Sequence, residues 1–238
     1  MKYSDKAEPF DTGFFNDKGL NCQAIFNIKA LPTDVIDNLI NEGIDLSGFT
    51  QLILLAHRGG ELWQHVQLVL GQSNNPIDDF SVGVVTGFFQ QNMPEKHYQL
   101  VYPDEKLIGL QRLGELAGWH YPSPFRVGIN ADWGSWFAYR AVLLSDTDFE
   151  QTSKMSSSSP CVDCGDKSCI DSCPADAFDN QFFSLEGCLQ YRLKPKSQCR
   201  DKCMSRLSCP VASELQYSDE QLRYHYGVSL RTIEEYYS

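Results

Sequence analysis

The chain has 238 residues, nine of them cysteine, and a formal net charge of −11. That length gives one large domain, or a medium one with a small companion, and a core able to fold without covalent staples. The acidic balance argues against a general nucleic-acid binder, which needs a basic footprint, and no run approaches the roughly 18 apolar residues of a membrane span.

Residues 1–6 carry neither an apolar run nor a twin-arginine signal, so no export is expected and the chain reads as cytoplasmic. Residues 20–28 predict a strand. Leu31-Pro32-Thr33 then opens a helix with Val35, Ile36, Leu39 and Ile40 on one face, stopping at Gly43. A buried strand is expected over 52–56, and His57-Arg58-Gly59-Gly60 turns it into a helix with Leu62, Val66 and Val69 at helical spacing. That turn has the composition of a phosphate or carboxylate cradle at a helix start, and equally of a plain strand–helix turn. Residues 76–90 predict another helix, loosened by Gly83 and Gly87. A strand over 98–102, a helix over 105–117 and a long strand over 136–144 follow. Such alternation implies an α/β layer fold. There is no P-loop and no G-x-G-x-x-G. The polar, serine-rich stretch 151–160 marks the domain boundary.

Cys22 stands alone on an apolar strand and reads as a small core residue, while the other cysteines fall between Cys161 and Cys209. Clustered cysteines in a reducing compartment hold metal or do redox chemistry more often than they form disulfides. Cys161-x2-Cys164-x4-Cys169-x3-Cys173-Pro174 keeps the first and last spacings of the bacterial ferredoxin run and its proline, with two residues inserted between. In that run the fourth cysteine serves a neighbouring cluster. Cys188, Cys199, Cys203 and Cys209-Pro210 follow. Crossed ligation then gives one 4Fe-4S cluster to Cys161, Cys164, Cys169 and Cys209, and a second to Cys173, Cys188, Cys199 and Cys203. Two four-cysteine zinc sites would use the same count, but the C-x3-C-P ending is a cluster habit. Between Arg192 and Arg206 six basic residues face one acid, Asp201. They read as cations offsetting the clusters' negative charge, or as a docking patch for an acidic donor or an RNA backbone.

The segment Gly134-Ser135-Trp136-Phe137-Ala138-Tyr139-Arg140, ahead of these cysteines, resembles the cobalamin-handling superfamily of CblC-type cobalamin-processing proteins, epoxyqueuosine reductases and reductive dehalogenases. Asn75-Pro76-Ile77-Asp78-Asp79-Phe80 and Leu215-Gln216-Tyr217-Ser218-Asp219-Glu220-Gln221 look CblC-like, and Ser218-x-x-Gln221 is a capping box in its own right. The cysteine pattern, with Cys188-Leu189-Gln190-Tyr191, looks like the epoxyqueuosine reductase arrangement. Unlike those enzymes, the chain has His120-Tyr121-Pro122 after Ala117-Gly118-Trp119, where a Gly-Lys-Asn run is expected. That departure and the acidic charge argue against tRNA as a partner.

What the resemblance implies is an α/β (α+β) nitroreductase-like, cobalamin-binding domain over 1–150 and a linker over 151–159. A two-cluster ferredoxin-like module over 160–212 follows, then a C-terminal helical segment over 213–238 packing back on the first domain. Gly134, Ser135, Trp136 and Arg140 are the implied cofactor contacts. Arg140 reads equally as a structural arginine at a strand end. Asp104 has the chain offset of the epoxyqueuosine reductases' proton donor, but mismatched flanks, and reads also as an exposed loop aspartate. The expected function is that of an iron–sulfur oxidoreductase. It would take electrons from a low-potential donor of ferredoxin or flavodoxin type and pass them through two clusters to a bound cobalamin. Cobalamin would then be cargo, reduced or processed for other enzymes, or catalyst for reducing a small organic substrate. A ferredoxin-like electron carrier without cobalamin and an FMN-dependent reductase are the alternatives.

Overall fold

The computed structural model of the chain describes residues 7–179 and 182–237; residues 1–6, on which the export reading rests, lie outside them. The described chain divides into two compact units. The first runs up to Trp119 and resumes over Phe137–Ser156; the second comprises His120–Trp136 and the chain from Ser157 onward. Among the described residues no helix is long and apolar enough to cross a membrane.

The first unit is a mixed α/β layer. Its helices are α1 (Thr12–Asn16), α2 (Thr33–Asn41), α3 (Glu61–Val66), α4 (Pro76–Asn92) and α5 (Leu110–Ala117). Its antiparallel sheet has the order β1-β2-β4-β3, with β1 Cys22–Asn27, β2 Gln51–Arg58, β3 Tyr98–Tyr102 and β4 Phe137–Ser145. β2 is central and buried at every position but its last, which is why its sequence is a continuous apolar run rather than an alternating one. Gln51 opens that strand with its amide fully used: Nε2 donates to Asn27 Oδ1 and the Phe149 carbonyl, and Oε1 accepts from Thr147 Oγ1 and the Phe149 N–H. Phe149 in turn meets Phe10 edge-on and Phe88 at a tilt. Cys22 is buried on β1 opposite Ala56, and burial pushes its thiol up to about 12.

The helix expected over 105–117 starts only at Leu110. Side chains of α2 and its cap capture the preceding backbone: Asn38 Nδ2 donates to the Leu107 carbonyl, Asn38 Oδ1 accepts from Gly109 N–H, and Glu42 accepts from Leu107 N–H. These bonds satisfy groups that another turn of helix would otherwise use. The last turn of α5 closes at Gly118 in the left-handed region, φ 78°.

In the second unit, Tyr121–Pro122 pairs with Gly128–Ile129 and Phe178–Asp179 with Phe182–Phe183, both antiparallel. Its helices are α6 (Ser168–Asp171), α7 (Leu185–Leu193), α8 (Met204–Leu207) and α9 (Asp219–Tyr237). Ser184 caps α7 by accepting from Gly187 N–H, and Ser218 Oγ accepts from Gln221 N–H in the first turn of α9. α9 packs along α7, and Trp136, Tyr217 and Leu222 form a core cluster within this unit.

A β-carbon at Gly118 would collide with the Met155 carbonyl, and the backbone there is left-handed. Gly118→Ala therefore lowers stability by roughly 2–4 kcal/mol. Chemical denaturation of the whole chain reads this as a lower denaturant midpoint.

Candidate metal centres

Eight cysteines lie in the second unit, and none is disulfide-bonded. Four of them line one cavity of about 210 Å³: Cys161 and Cys164 from the loop before α6, Cys169 on α6, and Cys209 just past α8. Forty residues separate Cys169 from Cys209, and an exchange of serine bonds closes that distance. Ser168 Oγ donates to the Ser208 carbonyl at 2.7 Å, and Ser208 Oγ donates back to the Ser168 carbonyl at 3.1 Å. Each serine immediately precedes a cysteine, so the pair sets the two thiols beside one another. The rest of the wall is mostly apolar, with Phe125, Ile129 and Val211 prominent, and Lys167 and Ser168 are its polar members.

The remaining four cysteines form a second neighbourhood. Cys188, on α7, lies within the electrostatic reach of Cys203, Cys173 and Cys199, and Cys199 within that of Cys203 and Cys173. Cys173, four residues after Cys169 in the chain, thus turns away from the first set. Burial, followed by neighbouring thiols, pushes Cys169 and Cys188 each up to about 11. Bare thiols in this setting stay protonated, and a bound cation is what would favour their ionised, ligating form. Backbone N–H groups already point at two sulfurs, Val211 N–H at Cys209 and Met204 N–H at Cys199.

Four thiols lining one cavity are a donor set that suits a 4Fe-4S cluster or a zinc ion alike.

The residues implied as cobalamin contacts are placed otherwise. Gly134 is left-handed, φ 57°, and a β-carbon there would strike the Val211 carbonyl, so its freedom serves a close approach of protein backbone. Ser135 is buried, and its carbonyl and hydroxyl both accept from Arg206. Trp136 is fully enclosed, with the Arg206 guanidinium 4.5 Å from its ring centroid; the same guanidinium lies 4.9 Å from Tyr217. All three belong to the second unit. Arg140 belongs to the first, on β4, where its Nε donates to His57 Nδ1 of β2 at 2.9 Å.

Asp104 does not have the setting of a proton donor. It is exposed, accepts from Glu105 N–H and from Lys106 Nζ at 3.0 Å, and these bonds hold its carboxyl below the usual carboxylate range. A donor near neutral pH needs the reverse. The group that burial does raise is Asp78 on α4, which feels Arg140 and contributes to raising Tyr102. Nothing in the spacing of the sequence announces that grouping, because its members come from three separate elements. Nor does it announce that Arg192 and Arg206, two of the six cations between 192 and 206, are buried.

No family model matches the chain, and no curated protein does either. Solved structures do. The chain is similar to epoxyqueuosine reductase from Bacillus subtilis, in a form with its catalytic aspartate loop swung out of the active site, at TM-score 0.55 and 10% identity, over 87% of this chain and 65% of that one. It is also similar to an epoxyqueuosine reductase solved with an epoxyqueuosine-modified tRNA-Tyr stem loop, at TM-score 0.52 and 10% identity, over 89% of this chain and 66% of that one. The chain spans just under two thirds of the length of these structures. At such identity the likeness establishes a shared fold, a mixed α/β architecture with a small antiparallel sheet. It also corrects one expectation. A protein of this fold is solved with a tRNA stem loop, so the argument from charge against tRNA as a partner does not hold. Phosphate contacts are local, whereas net charge is a sum over the whole chain.

Arg206→Ala removes a desolvated cation from between two aromatic rings and leaves the Ser135 carbonyl unpaired. The expected loss is on the order of 3 kcal/mol, read by denaturation followed through tryptophan fluorescence. Lysine at this position does not restore it, since it lacks the planar fork that stacks and bonds together.

Proposed function

We propose that this chain is an iron–sulfur oxidoreductase carrying two 4Fe-4S clusters. One is held by Cys161, Cys164, Cys169 and Cys209, the other by Cys173, Cys188, Cys199 and Cys203. The observation that carries the proposal is the crossing: Cys209 joins the first set and Cys173 the second, so neither set is a contiguous motif. The fold shared with two reductases supports the same reading. When bound, the clusters supply one-electron transfer at potentials that reach about −700 mV in such proteins. The chain's own part is to hold the thiolates, exclude water with Phe125, Ile129 and Val211, and direct N–H groups at the sulfurs.

Cobalamin is the electron acceptor that the sequence resemblance implies. Gly134, Ser135 and Trp136 do not fit that role as contacts, since each is occupied by protein from its own unit. The route these residues support therefore ends at the clusters, and binding of the corrin is a separate question for experiment. The substrates to be tried include small organic molecules and, given the tRNA stem loop held by a protein of this fold, RNA.

Anaerobic reconstitution is expected to give about eight iron and eight sulfide ions per chain. Cys161→Ser and Cys209→Ser each reduce this to about half and leave the same residual spectrum. Cys173→Ser and Cys188→Ser leave the other. Zinc in place of iron, or Cys209→Ser sharing its residual spectrum with Cys188→Ser, overturns the assignment. Cob(II)alamin added to the reduced protein reports on the corrin directly: a shift to the base-off spectrum makes it the acceptor, and an unchanged spectrum removes it.

A further inference from the structure

The two sets of cysteines sit in unlike electrostatic surroundings. Beside the second set lies Arg192, on α7 one turn after Cys188, and it is 8% exposed. Each of its three guanidinium nitrogens donates a hydrogen bond. Nε donates to the carbonyl of Cys199 at 3.0 Å, one terminal nitrogen to Ser229 Oγ at 3.1 Å, and the other to the Tyr226 carbonyl at 3.1 Å. The Tyr226 ring lies 5.4 Å below it. A side chain tied at four points cannot swing out to water, and an arginine cannot lose its proton. These partners are all neutral, and among the described residues no carboxylate pairs with it. The charge sits against the second set: the Arg192 Nε is 3.0 Å from the carbonyl of Cys199, and Cys188 lies one turn earlier on the same helix. Among the described residues that line the first set's cavity the one cation is Lys167, whose side chain is exposed.

We propose that Arg192 is a positioning residue that sets the reduction potential of the Cys173/Cys188/Cys199/Cys203 cluster, holding it more positive than its ligands alone would, while leaving the other cluster untouched. The proposal rests on the two-cluster reading above. Adding an electron makes a cluster more negative, and a fixed cation in a poorly solvated setting stabilises that added charge. The same residue anchors the Cys199 loop to α9, so the field is delivered by the part of the chain that shapes the site.

The test is a redox titration of the reconstituted protein followed by electron paramagnetic resonance. Its waves are assigned beforehand with Cys161→Ser, which leaves the second cluster alone. Arg192→Gln is expected to weaken reduction of that cluster at least tenfold, a downward shift of about 59 mV for one electron, with the first cluster's wave unmoved. Arg192→Lys, which keeps the charge, recovers most of the shift. Ser229→Asp provides a route that retains the arginine. Ser229 is exposed on α9, and a carboxylate there would pair with the Arg192 nitrogen and cancel its charge, moving the same wave in the same direction. This variant decides the matter if Arg192→Gln fails to assemble. Ser229→Ala removes one anchor without touching the charge and is expected to change stability but not potential. An unmoved second wave in the charge-removing variants overturns the proposal, as does an equal shift of both waves. Failure of the unsubstituted protein to bind iron strikes the two-cluster reading instead.

Discussion

A thiol pressed into an apolar surrounding resists ionisation, and burial leads the causes that raise Cys161, Cys169, Cys188, Cys199 and Cys209. The second unit is organised around that cost. The helices α6 and α8 beside the cysteines are only four residues long, because their task is to present sulfurs from separate stretches of chain rather than to bury a long apolar stripe. Small polar devices hold the presentation in place. The Ser168–Ser208 exchange joins α6 to the end of α8, and N–H groups from Met204 and Val211 reach sulfur. Each is worth little in water and more in a dry site, where leaving the partner unpaired is expensive.

Burying a cation is as costly as burying an anion, so Arg192 and Arg206 need a compensating arrangement. They obtain it from neutral groups. Arg206 is flanked by the faces of Trp136 and Tyr217 and bonded to both oxygens of Ser135; Arg192 is spread over three carbonyl or hydroxyl oxygens and one ring. Neutral partners leave the field of each guanidinium uncancelled, whereas a salt bridge would quench it. The same choice explains why aromatic residues gather here. A flat ring bears a cation without bringing a counter-charge.

The layered part of the chain was legible because it obeys simple periodicities. The apolar run at 52–56 is a central strand, Tyr98–Tyr102 is a strand end to end, and the helix begun at Pro76 runs on to Asn92 through both of its glycines. The helix expected from residue 105 failed for a reason that no local pattern carries. Asn38 and Glu42, more than sixty residues earlier, take the backbone of residues 107 and 109 first. Side-chain roles were less legible than elements. Gly134-Ser135-Trp136 reads as a ligand-facing turn, yet a carbonyl, a guanidinium and a tyrosine of the same unit fill its surroundings. Asp104 was singled out by its offset along the chain, and offset says nothing of the lysine two residues on that keeps it ionised.

Charge shows the same gap between counting and placing. A net charge of −11 carries no information on where the cations are. In the run from 192 to 206, Arg192 and Arg206 are withdrawn into the interior and Arg200 is paired with Glu234 at 2.8 Å. Lys194 and Lys196 remain exposed, and Lys202 is half-buried. The run is therefore weaker as a docking patch than its six cations imply. Counterion release scales with the cations that actually meet phosphate. Neither the acidic total nor the basic run decides whether RNA binds; the positions of the exposed lysines and arginines bear on it.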